Sequence, residues 1–221
     1  VNHSEQTLPI IYMDDDVIVI DKPASVLSHA KNPLDDEFTV ATFFARYSTA
    51  DADSARVGIV HRLDRDTSGV MIGARTPEAF DFLKRQFADR HVQKTYIAVT
   101  DGIPKVAKLR VDIPIGRNMA RPGRFKGKTD GKPAQTDIEV VSQNLTHALV
   151  KAKPYTGRTH QIRVHLAHIG TPVHGDRLYG KPADRLYLHA AELELDLPSG
   201  NHQSFSSPVP QSFTELMQHD R

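Results

Sequence analysis

The chain contains no cysteine. That excludes disulfides, thiolate metal ligands and a cysteine nucleophile, and it fits a reducing compartment. No apolar run approaches the length of a membrane span, and no signal peptide is visible, so a soluble, cytoplasmic protein without membrane association is expected. Little net charge remains over 221 residues, only +1 at pH 7, which argues against a uniformly basic nucleic-acid coat. A Walker phosphate loop is missing, as is a glycine-rich dinucleotide fingerprint after a strand. Asp66-Thr67-Ser68-Gly69 lacks the flanking glycine of a serine-hydrolase elbow, which disfavours a serine nucleophile. Internal repeats, linkers and low-complexity segments are also absent.

What is present is an ordinary globular mix, 39% hydrophobic and 25% charged, with length enough for one large domain or two small ones. The charge is unevenly placed. Asp14–Glu37 carries seven acids against Lys22 and Lys31, whereas Lys105–Lys132 carries nine bases against Asp112 and Asp130. Lys151–Arg163 adds four bases and no acid. A phosphate backbone would be drawn to this middle region.

Short β-branched runs at Ile10–Met13 and Val17–Ile20, separated by three aspartates, predict a hairpin closed by Pro23. Val40, Phe43, Phe44 and Tyr47 recur at helical spacing, which predicts a helix over Thr39–Tyr47. Val57–Val60 and Val70–Ala74 read as buried strands flanking the polar stretch His61–Gly69. Thr76-Pro77-Glu78 starts a helix with Phe80, Leu83 and Phe87 as its buried stripe. Thr95–Thr100 reads as a strand, Pro114–Pro133 as a long mobile loop, and Ala134–Val141 with His147–Lys153 as a strand pair. Ile162, Leu166 and Ile169 predict a helix over Thr159–Ile169, capped by Thr159 and ended by Gly170 and Pro172. Leu186–Leu195 reads as a late strand, and the C-terminal stretch as peripheral. The fold class is α+β, a mostly antiparallel mixed sheet flanked by helices and loops.

Chemistry concentrates in His61-Arg62-Leu63-Asp64-Arg65-Asp66-Thr67-Ser68-Gly69. Either this is a solvated turn held by ion pairs, or one carboxylate is a nucleophile or base kept ionised by an arginine. In Pro154–His165, Arg163 follows the buried Ile162 near the edge of an apolar face. An arginine there either snorkels outward or takes a carboxylate partner, and the first segment could supply one. Tyr96, on a strand's inner face, is a core residue or a site residue. His174–Gly180 is a turn that carries little information alone. Among the histidines, His160, His165, His168 and His174 cluster most tightly in sequence. His160 and His165 sit about 140° apart on a helix, so the spacing that places two imidazoles on one ion is missing, and no metal site is expected.

These residues carry a family resemblance. His61-Arg62-Leu63-Asp64 followed by Thr67-Ser68-Gly69 resembles the signature of the RluA-type pseudouridine synthases. Gly157–Leu166, then Gly175-Asp176 and Tyr179-Gly180, resembles that family's second signature. Lys94–Ala98 resembles its tyrosine motif and Asp21-Lys22-Pro23 its first motif. The order is right from about Ile11 to Leu195. The first motif departs from the family pattern at Ala24-Ser25 and His29-Ala30, which bears on loop shape more than on catalysis. The resemblance implies a pseudouridine synthase fold and one catalytic domain over residues 1–221 without a separate N-terminal RNA-binding domain; a monomer is the default expectation, because the sequence does not read out oligomeric state. It implies isomerisation of uridine to pseudouridine in a structured stem-loop of large-subunit ribosomal RNA or transfer RNA, without cofactor or metal.

The resemblance places the essential aspartate at Asp64, which attacks C1′ or takes the 2′ proton. Tyr96 would pack on the target base, Arg163 would pair with the catalytic carboxylate, and Arg62 would fill the space left by the flipped base. His61, Lys94, Arg158, Thr159, His160 and Gln161 join as RNA-contacting positions, with His61 and Thr156 structural rather than catalytic. Two rivals remain: a non-catalytic RNA-binding protein on the same scaffold, and a metal-dependent phosphoesterase using the histidines.

Overall fold

The structure is a computed structural model that describes residues 5–30, 36–50 and 56–218. Lys31 and Asp35 of the acidic N-terminal stretch lie outside those residues. In chain order the elements are β1 (Ile10–Met13), β2 (Val17–Lys22), α1 (Val40–Phe44), β3 (Ser68–Ala74), α2 (Pro77–Ala88), β4 (Gln93–Asp101) and β5 (Lys108–Asp112). There follow β6 (Ile115–Arg117), β7 (Phe125–Gly127), β8 (Gln135–Gln143), β9 (His147–Pro154), α3 (Gln161–His168), β10 (Leu188–Asp196), β11 (His202–Ser206) and α4 (Gln211–Gln218). No helix among the described residues is long and apolar enough to cross a membrane.

The chain forms two compact units. The first runs to Gln93 and takes in Ala190–Pro208; the second is Lys94–His189 with the stretch from Val209. In the first unit the strand order is β1-β2-β3-β10, with β11 on β10. In the second it is β4-β9-β8-β5, with β6 and β7 as a separate ribbon. The pairs β1–β2, β2–β3 and β10–β11 are antiparallel, as are β4–β9, β9–β8, β8–β5 and β6–β7. The expected α+β class with a mostly antiparallel sheet is what the structure shows.

In the first unit β2 and β3 read as continuous apolar runs because both their faces are covered. α2 lays Ala79 and Leu83 against Val17, Val19 and Ile72. α1 packs so close on β3 that a Cβ at Gly73 would lie 2.1 Å from the Phe44 ring. Thr76 caps α2 by accepting from the Ala79 N–H, with Pro77 and Glu78 in the first turn, as the sequence predicts. Thr39 and Thr42 close a reciprocal capping box on α1, which ends at Phe44, short of Tyr47. The buried stripe of α2 is Ala79, Leu83 and Gln86, with Phe80 and Phe87 only partly covered.

Several expectations are corrected. Val57–Val60 is a turn with a single bridge, Ile59 to Gly73. Gly58 takes φ +67, and a Cβ there would meet the Ala74 carbonyl at 2.6 Å, so the chain bends where a strand would run straight. Pro114–Pro133 is no featureless loop: it folds into the β6–β7 ribbon. Ile115 exchanges two 2.9 Å backbone bonds with Lys132 and is buried with Ala134 and Val164. The C-terminal stretch is not peripheral, because α4 sends Phe213 into the second unit's core beside Tyr187.

Candidate active site

The His61–Gly69 segment belongs to the first unit, and it is braced from both sides of Asp64. Before Asp64, a single hydroxyl holds Leu63. Ser28 Oγ donates to the Leu63 carbonyl (2.7 Å) and accepts from the Leu63 N–H (3.1 Å). After Asp64, Lys22 Nζ donates to the Arg65 carbonyl at 3.0 Å, and to those of Pro23 and Val26 at 2.9 and 2.7 Å. Lys22 is wholly buried. Burial pushes its amine down to about 7, against the pull of Asp66 and Asp64. Below that value three ammonium N–H groups meet three carbonyls, a full match of donors to acceptors. The Thr67 N–H closes a turn onto the Asp64 carbonyl (3.1 Å). Asp64 itself is half-buried, and Arg62 is exposed.

Neighbouring charges have their own tasks. Arg65 makes a two-pronged bond to Glu37 at 2.5 and 2.9 Å, so one of the segment's two arginines serves as a surface clasp. His61 accepts at Nε2 from the Ile72 N–H (3.0 Å) and stacks on Phe87 with centroids 4.5 Å apart. That places the neutral ring's proton on Nδ1 and gives His61 a scaffolding role.

The second unit carries the other sequence-predicted residues. Lys94 and Tyr96 lie half-buried on β4, where Tyr96 faces Ala152 of β9. Arg163 is buried on α3, at 6% exposure. Its Nε and Nη2 each donate to the Asp176 carboxylate at 2.8 Å, and its guanidinium lies over the Tyr179 ring at 5.3 Å. Asp176 is fully buried and also accepts from the Leu178 and Tyr179 N–H groups, so it closes its own turn while it aims the arginine.

α3 starts differently from expectation. Thr159 is exposed and does not cap it. The N-cap is His160, held at φ +57, with no side-chain cap bond. His160 Nδ1 instead meets the Tyr179 hydroxyl at 2.8 Å, and its ring lies edge-on to Phe125 of the basic ribbon. Gln161, read as an RNA contact, faces inward at 4% exposure. Its amide bonds Thr156 Oγ1, the Arg158 N–H, the Gln135 carbonyl and Thr136 Oγ1, which spends its polar capacity on its own chain. Thr156 is structural in the same way. Arg158 keeps partial exposure, with Nε on the Pro133 carbonyl.

Sequence reasoning missed Lys22, Ser28 and Asp176 as positioning residues. Asp21-Lys22-Pro23 and Gly175-Asp176 were visible as motif matches, but nothing local says what either side chain holds. Ser28 left no local signal.

The family model described as RNA pseudouridylate synthase matches residues 16–168. The chain belongs to that family, and it is an isomerase that converts uridine to pseudouridine in RNA. Among its relatives, the dual-specificity RNA pseudouridine synthase RluA of Escherichia coli K12 is 40% identical over 93% of this chain and 94% of its own. The ribosomal large subunit pseudouridine synthase D of Nitrosomonas europaea is 37% identical over 98% of this chain and 67% of its own. The solved structure of human RNA pseudouridylate synthase domain containing 1 matches with TM-score 0.77 at 28% identity, over 92% of this chain and 84% of that one.

Proposed function

We propose that this isomerase modifies uridine in large-subunit ribosomal RNA, with transfer RNA as its second substrate class, and that Asp64 is its catalytic residue. The observation that carries the assignment is the bracing of Asp64 between Leu63, held by Ser28, and Arg65, held by Lys22. A residue that must meet a ribose within a few tenths of an ångström needs a backbone fixed on both flanks. The relatives named for ribosomal RNA support the substrate.

In this reading the target nucleotide leaves the stack, at a cost of a few kcal/mol. Arg62 fills the space it vacates, and Tyr96 packs on the extruded base. Asp64 acts at the ribose, either on C1′ or on the 2′ proton. Arg163, aimed by Asp176, is the cationic residue of the reaction. The N1–C1′ bond breaks, the base turns, C5 bonds to C1′ and gives up its proton while N1 gains one, so the atoms balance with no co-substrate, cofactor or metal. Lys94, Arg158, Thr159 and His160 lie along the RNA, whereas Gln161 and His61 position their neighbours. The β6–β7 ribbon presents exposed Arg117, Arg121, Lys126 and Lys132, which would contact phosphates without reading sequence. The chain acts in the cytoplasm as a monomer.

The test is pseudouridine mapping, by chemical labelling and sequencing, in cells lacking the gene and in the same cells carrying wild type or Asp64→Asn. A site restored by wild type alone supports the proposal. Restoration by Asp64→Asn overturns the assignment of Asp64. RNA binding with no changed uridine would favour the non-catalytic rival.

A further inference from the structure

Three chemically capable side chains of the second unit stand outside every role assigned so far. Asp101 ends β4 and His147 opens β9, where the two face each other in the strand register. His174 arrives from the segment after α3. That segment runs along the end of β4: Asp101 N–H donates to the Pro172 carbonyl (2.9 Å), and His174 N–H donates to that of Val99 (2.8 Å). The backbone thus gathers an Asp and two His that no sequence spacing announces.

Each of the three offers one ligand atom, and those atoms all lie within 4.8 Å of one another. Asp101 Oδ1 is 2.6 Å from His174 Nδ1 and 3.5 Å from His147 Nε2. The side chains are 26%, 22% and 14% exposed for Asp101, His174 and His147, so solvent reaches them while most of their surface is shielded. The rings are also oriented. His147 Nδ1 bonds Thr146 Oγ1 at 2.7 Å, which turns Nε2 toward Asp101, and His174 packs edge-on against Tyr187. Such outer partners fix the tautomer and direction of a metal-binding imidazole.

Four-coordinate zinc takes imidazole nitrogen at ~2.0–2.1 Å and carboxylate oxygen at ~2.0–2.2 Å, which sets tetrahedral ligand atoms ~3.3–3.5 Å apart. The longer contact here already has that separation, and the shorter needs to open by less than ~1 Å. His202 provides a contrast. It meets Asp196 through Nδ1 and Glu194 through Nε2, opposite edges of one ring, which cannot face a single ion.

We propose that Asp101, His147 and His174 form a site for a first-row divalent transition-metal ion, zinc foremost, with solvent in the fourth position. Two imidazoles and one carboxylate suit zinc better than magnesium or calcium, which favour all-oxygen sets. The bound ion would staple the end of β4, the start of β9 and the segment after α3. It would act on local order, separately from the isomerisation.

The experiment is titration of the full-length, metal-stripped protein with Co2+, read by the visible absorption of four-coordinate cobalt, followed by displacement with Zn2+ against a chromophoric chelator. Wild type should bind one ion. His174→Ala and Asp101→Asn should each weaken zinc binding by more than the roughly 10–100-fold that loss of an outer-shell partner costs. His202→Ala should bind as wild type does. Zinc should also raise the melting temperature of wild type and leave that of His174→Ala unchanged. A wild type that takes up no four-coordinate cobalt, or a His174→Ala that binds as tightly, overturns the proposal. Should the variants misfold, imidazole NMR of wild type decides. Zinc must shift the ring signals of His147 and His174 and leave those of His202, and any other pattern refutes the site.

Discussion

Removing the Asp176 carboxylate should destabilise the second unit severely, and the structure sets the size of the effect. Arg163 is 7% exposed at its side chain and Asp176 not at all. Two charge-assisted bonds of 2.8 Å join them, and Asp176 also serves two turn amides. Asp176→Ala would leave a buried guanidinium without that counter-charge, a change that costs about 3–5 kcal/mol. For a chain of this length that corresponds to a fall in melting temperature of roughly 6–20 °C. Asp176→Asn keeps the shape and one acceptor oxygen and should cost less. The informative variant is the double one, Arg163→Met with Asp176→Leu. It removes both charges and fills the volume, so it should be more stable than Asp176→Ala, although inactive. Urea unfolding of the four proteins, followed through the second unit's transition, reads the comparison. A loss under about 1 kcal/mol for Asp176→Ala, or a double variant no more stable than the single, would refute the reasoning.

Lys22 predicts a pH dependence. Its folded value of about 7 lies below that of an unfolded lysine, so the unfolded chain binds more protons above pH 7 and stability rises with pH across that window. Relative to Lys22→Met, wild type should gain about 2 kcal/mol between pH 7 and pH 9 in urea unfolding. Parallel profiles would show instead that the three carbonyls hold the ammonium charged. At Gly69, φ is +116 and an added Cβ would lie 2.1 Å from the Ala190 carbonyl oxygen. Gly69→Ala should therefore cost about 3 kcal/mol or more, seen as lost soluble yield and a lower melting temperature. Gly157→Ala, with nothing within 4 Å of the new Cβ, should melt within a degree or two of wild type.

The elements legible in the sequence were those set by local rules. Thr76-Pro77-Glu78 starts α2 because a cap, a fixed φ and a dipole-matched acid are all adjacent in the chain. The β8–β9 pair shows because one face of each strand is apolar. What stayed hidden depends on approach through space. Ile115 looked like part of a glycine-rich loop, since nothing nearby reveals that Val164 covers it. Thr159 has the right chemistry for a cap, but the chain enters α3 through a left-handed His160 whose side chain is committed to Tyr179. Phe213 was lost in a polar, acidic stretch, where composition hid one buried ring.

The same distinction runs through the candidate site. The residues proposed to touch RNA stood out because they are charged and clustered. The residues that aim them did not, because a buried polar group is recognised by its partners and not by its type. Ser28, Lys22 and Asp176 each satisfy several backbone or charged groups at once, and each would be costly to bury alone. Their burial is sensible only if the backbone they hold must not move. That argument makes loss of Ser28 informative. Ser28→Ala deletes one hydroxyl, leaves the Leu63 N–H and carbonyl unbonded inside the first unit, and changes nothing that could meet RNA directly. If bracing of Asp64 matters, kcat falls while RNA affinity holds. If kcat is unchanged in a folded Ser28→Ala protein, the segment is fixed by other means and the bracing argument for Asp64 loses its footing.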